Sequence, residues 1–157
     1  MAQRAGHDIT YAALSGALHL TGGTGRPTPP ANLLADFGGG STYLVIGVLA
    51  ALIARGRTGT GQVVDAAMVD GAALNLTIIH GLLGTGLWQE KRGINLLDGG
   101  APFYDTYACA DGLFLAVGAL EPQFHAELCR VLGVDPPVRY LEPSTWPAQR
   151  AAFTAAF

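Results

Sequence analysis

The 157-residue sequence contains few cysteines and few charged side chains. Its two cysteines, Cys109 and Cys129, do not form a CxxC pair, so we expect neither a disulfide framework nor a metal site. Only 13% of the residues are charged, the net charge is −3, and no run of Lys or Arg occurs. Because nucleic-acid binding requires basic side chains that neutralise phosphates, we expect no nucleic-acid partner.

The sequence also lacks the features of an export signal and of a membrane span. Residues 1–8, MAQRAGHD, have no apolar core. The longest apolar run, Tyr43 to Ala54, has about twelve residues, whereas a helix that crosses a bilayer needs about 20. We therefore expect this run to form a buried helix in a cytoplasmic protein, with no membrane partner.

Half of the residues are hydrophobic, which is enough for a buried core, and the order of elements predicts an α/β fold. The first part of the chain is predicted to contain a helix over 9–20 capped by Asp8, a loop over 24–40, a helix over 42–54 capped by Ser41, a strand over 62–68 and a helix over 70–83.

The second part begins with a glycine-rich, irregular segment over 84–100, which suits a linker. Residues 103–119 then predict a hairpin that turns at Ala110–Gly112, because Asp-Gly is a strong turn signal. An amphipathic helix closed by Gly133 and a last helix capped by Thr145 follow. A single strand in the first part and a hairpin with two helices in the second are too little for two complete domains.

Three side chains are candidates for chemistry on residue type and position alone. His7 suits proton transfer near neutral pH, but a residue at a helix entrance explains it equally simply. Asp36 precedes three glycines at a predicted helix start, where free amides would stabilise an oxyanion, or it is an ordinary loop carboxylate. Glu121 lies between a strand and a helix, where an acidic residue at a helix N-terminus needs no further role.

Other familiar signatures are missing. No GxGxxG follows a strand, and neither a P-loop nor a GxSxG elbow is present. The remaining histidines have no partners at ligand spacing, so we expect surface or core positions for His19, His80 and His125. Tyr104 and Tyr107 are expected to pack within the hairpin.

Five stretches taken together resemble successive blocks of the α-methylacyl-CoA racemases, members of the family III CoA-transferase group. They occur in order over nearly the whole chain: GHDITYAALSG, PPANLLADFGGG, GTGQVVDAAMVDG, RGINLLDGGAPFYDTYACADG and AVGALEPQF.

The resemblance implies proton transfer at the carbon next to a thioester, through an enolate. It matches His7 and Asp36 to two acid–base groups on opposite faces of the substrate, Glu121 to the partner of the histidine, and Asn32 to the support of the aspartate. Helix-start amides near the glycine run would hold the enolate oxygen. The residues expected to bind substrate or CoA are Gly38, Gly39, Gly40, Tyr104 and Asp8. CoA would be part of the substrate, with no separate cofactor.

The resemblance also implies the fold. Residues 1–70 match a piece of a Rossmann-like large domain, 71–104 a linker helix and loop, and 105–157 the start of an α+β small domain. The family forms interlocked homodimers, so Glu121 is expected to reach His7 from a partner subunit. Full-length relatives extend beyond both ends of this sequence, so we expect a fragment of a larger enzyme.

Two alternatives stay open. The CoA-transferases of the same group use the aspartate as a nucleophile that forms a mixed anhydride, and Asp36 would fill that role. The chain is otherwise a folded, inactive piece that only self-associates. Branched fatty acyl-CoA, bile-acid intermediates and aryl-propionyl thioesters all present the same α-carbon, and the sequence does not choose among them.

Overall fold

The computed structural model describes residues 4–157, which divide into two compact units. The first unit contains the described residues through Thr21 and Arg26–Leu87, and the second contains Gly22–Gly25 and Trp88–Phe157. The segment over 71–104, predicted as a linker, is therefore shared between the two units. The assignment of 1–70 and 105–157 to the large and small domains of the family stays a prediction.

The first unit consists of helices. Its elements are α1 (Asp8–Leu14), a 3₁₀ turn (Ala17–Leu20), a π-helical segment (Leu33–Ser41), α2 (Thr42–Thr58), α3 (Met68–Leu74) and α4 (Thr77–Gly84). Its small buried cluster is formed by Ala12, Ala17 and Leu76, with Leu18, Leu20 and Leu34 packed around it.

Helix α1 is shorter than predicted. It ends at Leu14 because Gly16 adopts a left-handed conformation with φ 87°, which stops the helix before residue 20. The residue that caps α1 is His7, with extended backbone, and Asp8 is the first helical residue. The prediction that Asp8 is the N-cap is therefore wrong by one position.

The prediction of a loop over 24–40 is wrong for residues 33–40, about half of its length, where the chain forms the π-helical segment. Two hydroxyl groups form hydrogen bonds with the five-residue spacing of a π-helix. Ser41 donates to the carbonyl of Asp36 and Thr42 to that of Phe37, both at 3.0 Å. The segment continues into α2 without interruption, so Ser41 makes no side-chain cap at the start of that helix.

Helix α2 is exposed, which contradicts the prediction of a buried helix over 43–54: none of its residues is buried. It ends at Thr58, where Gly59 turns left-handed. Together with the π-helical segment it forms a 26-residue helix, Leu33–Thr58, that contains an 18-residue stretch with a mean hydropathy of 1.8. By length and composition alone this helix is long and apolar enough to cross a membrane. A core helix of a soluble protein passes the same test, so the absence of a membrane partner remains a prediction.

The strand predicted over 62–68 does not form. Residues 60–67 are irregular or extended, and Met68 already begins α3. A strand requires a neighbour with which to form hydrogen bonds, and the sheet found in residues 4–157 is a two-stranded hairpin in the second unit.

The second unit follows the prediction closely. Strands β1 (Tyr104–Ala108) and β2 (Phe114–Gly118) pair antiparallel, and the turn uses Gly112 at φ 82°. Helix α5 (Pro122–Leu132) ends at Gly133, and Thr145 precedes α6 (Trp146–Ala156) after a short 3₁₀ turn, Pro143–Thr145. The hairpin and both helices are thus confirmed.

One aromatic core holds the second unit together. Phe103 and Phe153 are fully buried, and Tyr107, Cys129 and Trp146 pack with them. The segment before the hairpin has no helix or strand, yet it is ordered by its own hydrogen bonds: the Asp98 carboxylate accepts from the amides of Gly93, Asn95 and Gly100. This part of the predicted linker is therefore a structured loop.

Candidate active site

One buried carboxylate connects the two sequence blocks that contain His7 and Asp36. The side chain of Asp8 is only 6% exposed. Its Oδ2 atom accepts hydrogen bonds from the backbone amides of Ala35, at 2.7 Å, and Asp36, at 2.9 Å. The residue after His7 is thus bonded directly to the backbone of Asp36, which places both predicted acid–base residues in one region of the first unit.

His7 is an exposed residue at the entrance to α1. Its carbonyl accepts from the amides of Thr10 and Tyr11, at 2.8 and 3.3 Å, and its own amide donates to the Thr10 hydroxyl at 3.4 Å. The backbone of His7 is therefore fixed by the first turn of α1, while the side chain lies at the surface of the chain.

Asp36 lies in the first turn of the π-helical segment and is half-buried. Its amide donates to Asp8 and its carbonyl accepts from Ser41, so its backbone is bonded on both sides. Among residues 4–157, no hydrogen bond to its carboxylate is found. That carboxylate therefore remains available to act on a substrate.

Asn32 precedes the π-helical segment in a left-handed conformation, φ 61°, and Ala31 before it has φ 51°. Asparagine tolerates this conformation, but alanine does not favour it, and such backbone strain is concentrated at functional sites. The side chain of Asn32 forms no capping hydrogen bond, and within the described residues it does not bond the Asp36 carboxylate. Its predicted support of Asp36 is thus not seen in this chain. Sequence reasoning missed the strained Ala31.

The glycine run has a different role from the one predicted. Gly38, Gly39 and Gly40 lie inside a helix that begins at Leu33, so the expectation that their amides form a helix start is wrong. The space beside them is occupied: a Cβ on Gly39 would lie 2.5 Å from the amide nitrogen of Ala72, and one on Gly40 would lie 2.9 Å from Met68 Cγ. These two glycines allow α3 to pack closely. Their binding of substrate stays a prediction.

Glu121 and Tyr104 belong to the second unit. Glu121 is exposed and is the N-cap of α5, where its carbonyl accepts from the amides of Phe124 and His125 at 3.0 and 2.9 Å. Tyr104 begins β1 opposite Gly118 and is 38% exposed. Neither side chain is used by the core, so both are accessible.

Asp8 was predicted among the residues that bind substrate or CoA. Its carboxylate is instead buried and bonded to backbone amides, so it does not face a ligand from the surface. Among residues 4–157, no group of three or more His, Cys, Asp and Glu is arranged to hold a metal ion. Burial raises the pKa of the Cys129 thiol, which removes it as a ready nucleophile.

These features belong to a defined class of protein. The chain matches CoA-transferase family III over residues 1–156 and is a member of that family, with the mixed helix and sheet architecture of its solved structures. A CAIB/BAIF family protein from Brucella suis superimposes with a TM-score of 0.68 at 28% identity, covering 98% of this chain and 41% of the other.

Within the family, this chain is similar to racemases. It is 48% identical over 156 residues to the alpha-methylacyl-CoA racemase of Mus musculus and 47% identical to that of Homo sapiens, in each case over 98% of this chain and 41% of the relative. The succinyl-CoA:glutarate CoA-transferase of Mus musculus is 30% identical over 135 residues, 85% of this chain and 30% of that protein. The chain thus spans about two fifths of the length of the racemases it matches.

Proposed function

We propose that this chain carries the acid–base residues of an α-methylacyl-CoA racemase, an isomerase that inverts C2 of 2-methylacyl-CoA thioesters. The observation that carries the proposal is the 48% identity to a racemase over 98% of the chain, against 38% over 84% of the chain to an acyl-CoA transferase and 30% over 85% to the succinyl-CoA:glutarate CoA-transferase. Because the chain spans only 41% of the racemase, the activity of the whole protein is part of the proposal.

The proposed reaction requires two groups that exchange one proton each. A deprotonated group removes the C2 proton, and the electron pair of that C–H bond moves into the thioester to give an enolate. A protonated group on the opposite face then returns a proton to C2, which restores the carbonyl with inverted configuration. His7 and Asp36 are these groups, and they exchange roles when the reaction runs in reverse.

The contacts of the first unit support these roles. Asp8 bonds the backbone of Asp36 and is adjacent to His7, which supports the assignment of both groups to one site. The imidazole of His7 is exposed and the carboxylate of Asp36 is not used by the fold, so both remain available to a bound thioester.

Further parts of the proposal rest on the resemblance to the family. Glu121 orients the imidazole of His7 and favours its protonated form, and a partner subunit in a homodimer supplies it. Asn32 supports the Asp36 carboxylate in the complete site. The enzyme needs no cofactor beyond the CoA of its substrate, and it acts in the cytoplasm on an acyl-CoA of fatty acid metabolism.

The test is to incubate the chain with a (2R)-2-methylacyl-CoA in deuterated water and to follow C2 by NMR and chiral chromatography. We expect deuterium at C2 together with epimerisation. An exposed histidine outside the site provides a control, since His80→Gln should leave both signals unchanged. A new thioester formed on an added carboxylic acid, without any deuterium at C2, would overturn the racemase.

The transferase is the second candidate, since the family and its 30%-identical relative are CoA-transferases. In that reaction the Asp36 carboxylate attacks the thioester, releases CoA thiolate and forms a mixed anhydride. Hydroxylamine traps such an anhydride as a hydroxamate on Asp36. A hydroxamate found by mass spectrometry after incubation with acyl-CoA would favour the transferase over the racemase.

The exposed apolar helix favours a third reading, in which the chain folds but only self-associates. Leu49, Leu52 and Ile53 of α2 are each more than half exposed, and apolar faces of this kind promote association. Sedimentation velocity with a parallel CD spectrum distinguishes this reading. A folded, concentration-dependent oligomer that gives neither deuterium exchange nor CoA transfer would support it.

A further inference from the structure

We infer that Asp8 is a positioning residue of the proton-transfer site: its carboxylate sets the distance between His7 and Asp36 by binding the start of the helix that carries Asp36. The inference deepens the proposed function and rests on it. Asp8 does not contact substrate in this role. It acts through the backbone of the two residues that do.

The hydrogen bonds of Asp8 span two separate parts of the first unit. Its Oδ2 atom accepts from Ala35 and Asp36, which are 27 and 28 residues further along the chain. These amides belong to the first turn of the π-helical segment, where a helix leaves N–H groups without partners of its own. A negatively charged acceptor at such a place makes stronger bonds than a neutral one and also complements the positive end of the helix.

The local sequence does not provide this cap. Asn32 occupies the N-cap position, where an asparagine side chain normally accepts from the second or third amide, yet it makes no capping bond. Ala35 is fully buried, so its amide cannot turn to bulk water if Asp8 is removed. The start of the Asp36 helix therefore depends on a carboxylate from α1.

The same carboxylate fixes His7. Adjacent Cα atoms across a trans peptide are about 3.8 Å apart, so a bond that immobilises Asp8 also immobilises the backbone of its neighbour. The backbones of His7 and Asp36 are consequently joined by one side chain and two short hydrogen bonds. Two-base proton transfer needs both groups at fixed positions on opposite faces of one carbon, and this connection provides that rigidity.

Asp8 Oδ1 is buried and has no hydrogen-bond partner among the described residues. Asp8→Asn keeps one acceptor oxygen for the two amides, but it removes the negative charge that strengthens both hydrogen bonds. This variant therefore weakens the connection without removing it, whereas Asp8→Ala removes it completely.

The experiment combines amide hydrogen exchange with steady-state kinetics on the full chain. In Asp8→Ala we expect the amides of Ala35 and Asp36, in the π-helical segment, to lose protection while the amides of α2 keep theirs. We expect kcat for epimerisation to fall about 10²-fold with KM for the acyl-CoA within about twofold, because misplacing a reacting group by about 1 Å has an effect of that size on the chemical step. Asp8→Asn should lie between wild type and Asp8→Ala in both measurements, and it is the variant to use if Asp8→Ala does not fold.

Leu76→Ala is the matched control, because Leu76 is buried in the same unit but its apolar side chain takes no part in the hydrogen bonds of Asp8. It should lower stability and reduce activity only in proportion to the folded fraction. Unchanged protection of Ala35 and Asp36 in Asp8→Ala would overturn the inference, as would a loss of activity that matches Leu76→Ala at equal folded fraction. Absence of α-exchange in the wild-type chain would overturn the proposed function and the positioning role with it, while the exchange data would still report on the two hydrogen bonds.

Discussion

Gly39 and Gly71 meet backbone to backbone where the π-helical segment crosses α3. A Cβ atom built on Gly71 would lie only 1.9 Å from the carbonyl oxygen of Gly39 and 2.7 Å from the ring of Tyr43. Because the first of these contacts is with a backbone atom, a side chain at position 71 would fit only if one of the two helices moved as a whole. The crossing therefore holds the π-helical segment at Gly39, three residues after Asp36, while Asp8 binds the start of the same segment.

The crossing predicts that Gly71→Ala destabilises the chain by about 3 kcal/mol, the upper range for overpacking a tight contact. Gly56→Ala is the matched control: Gly56 lies inside α2 with no atom within 4 Å of a Cβ, so this variant should gain about 0.5–1 kcal/mol from reduced backbone freedom. Urea denaturation of the two variants gives both values. Equal free energies of unfolding for Gly71→Ala and Gly56→Ala would contradict the close packing of Gly71 against Gly39.

Tyr107 gives a prediction for alkaline pH. Burial raises its pKa from 10.0 to about 12, with Arg150 acting against this shift and Asp105 adding to it. Tyr107 is only 4% exposed, and its hydroxyl donates to the carbonyl of Pro102 at 2.6 Å. The pKa of Tyr107 is higher in the folded state than in the unfolded state, so its contribution to the free energy of unfolding is fully present below about pH 10. As the pH rises from about 10 to 12, the free energy of unfolding falls by roughly 2–3 kcal/mol.

Denaturation of wild type and Tyr107→Phe across that pH range is the measurement. The variant loses the Pro102 hydrogen bond, so it should be about 1 kcal/mol less stable at pH 8 and should decline less above pH 10. Tyr11→Phe is the control that leaves the core unchanged. An alkaline decline of equal size in wild type and Tyr107→Phe would exclude Tyr107 as its source.

The parts of the fold that could be predicted from sequence are those with local causes. The hairpin follows from an Asp-Gly turn between two β-rich runs, and Gly112 and Asp111 form that turn as expected. Helix α5 follows from its apolar periodicity and from Gly133 in the left-handed conformation at its end. In both cases the deciding residues lie within a few positions of the element they specify.

The parts that could not be predicted depend on distant partners. The start of the π-helical segment is bonded by the carboxylate of Asp8, 27 residues before Ala35. Its three glycines and the prolines that precede it predict a loop instead. Residues 62–68 have the composition of a strand, but within residues 4–157 they have no neighbouring strand to pair with. For the site, the blocks around His7 and Asp36 predict a pair of acid–base residues, and their catalytic roles stay a prediction. The hydrogen bond between Asp8 and the Asp36 amide has no signature in the sequence.

His125 and Gln149 form a buried polar pair in the second unit, with 2.9 Å between Nε2 and Oε1. The Gln149 amide nitrogen donates to the carbonyl of Tyr140 and to the Thr145 hydroxyl, so its oxygen accepts from His125 and the imidazole carries its proton on Nε2. Gln149→Met should therefore lower stability by about 2 kcal/mol, because it leaves that N–H buried without a partner.

Gln123→Met, on the exposed side of α5, is the control for this pair and should change stability by less than about 0.5 kcal/mol. Nitrogen-15 NMR of the wild-type imidazole at pH 8 tests the tautomer independently. A proton on Nδ1 would contradict the assignment, whatever the stability of the variant.

The two-base proposal makes a sharper prediction for single variants than loss of activity. If His7 and Asp36 stand on opposite faces of C2, each epimer presents its hydrogen to one of them. His7→Asn should abolish epimerisation, yet it should retain deuterium exchange in the epimer whose hydrogen faces Asp36, because that carboxylate can still remove and return a proton on its own face. Asp36→Asn should show the converse, with exchange only in the other epimer.

The measurement is C2 deuteration of each purified epimer with both variants. Asp135→Asn is the control, because Asp135 is an exposed carboxylate of the second unit. Exchange in the same epimer for both variants, or full epimerisation by either, would show that one group alone moves the proton.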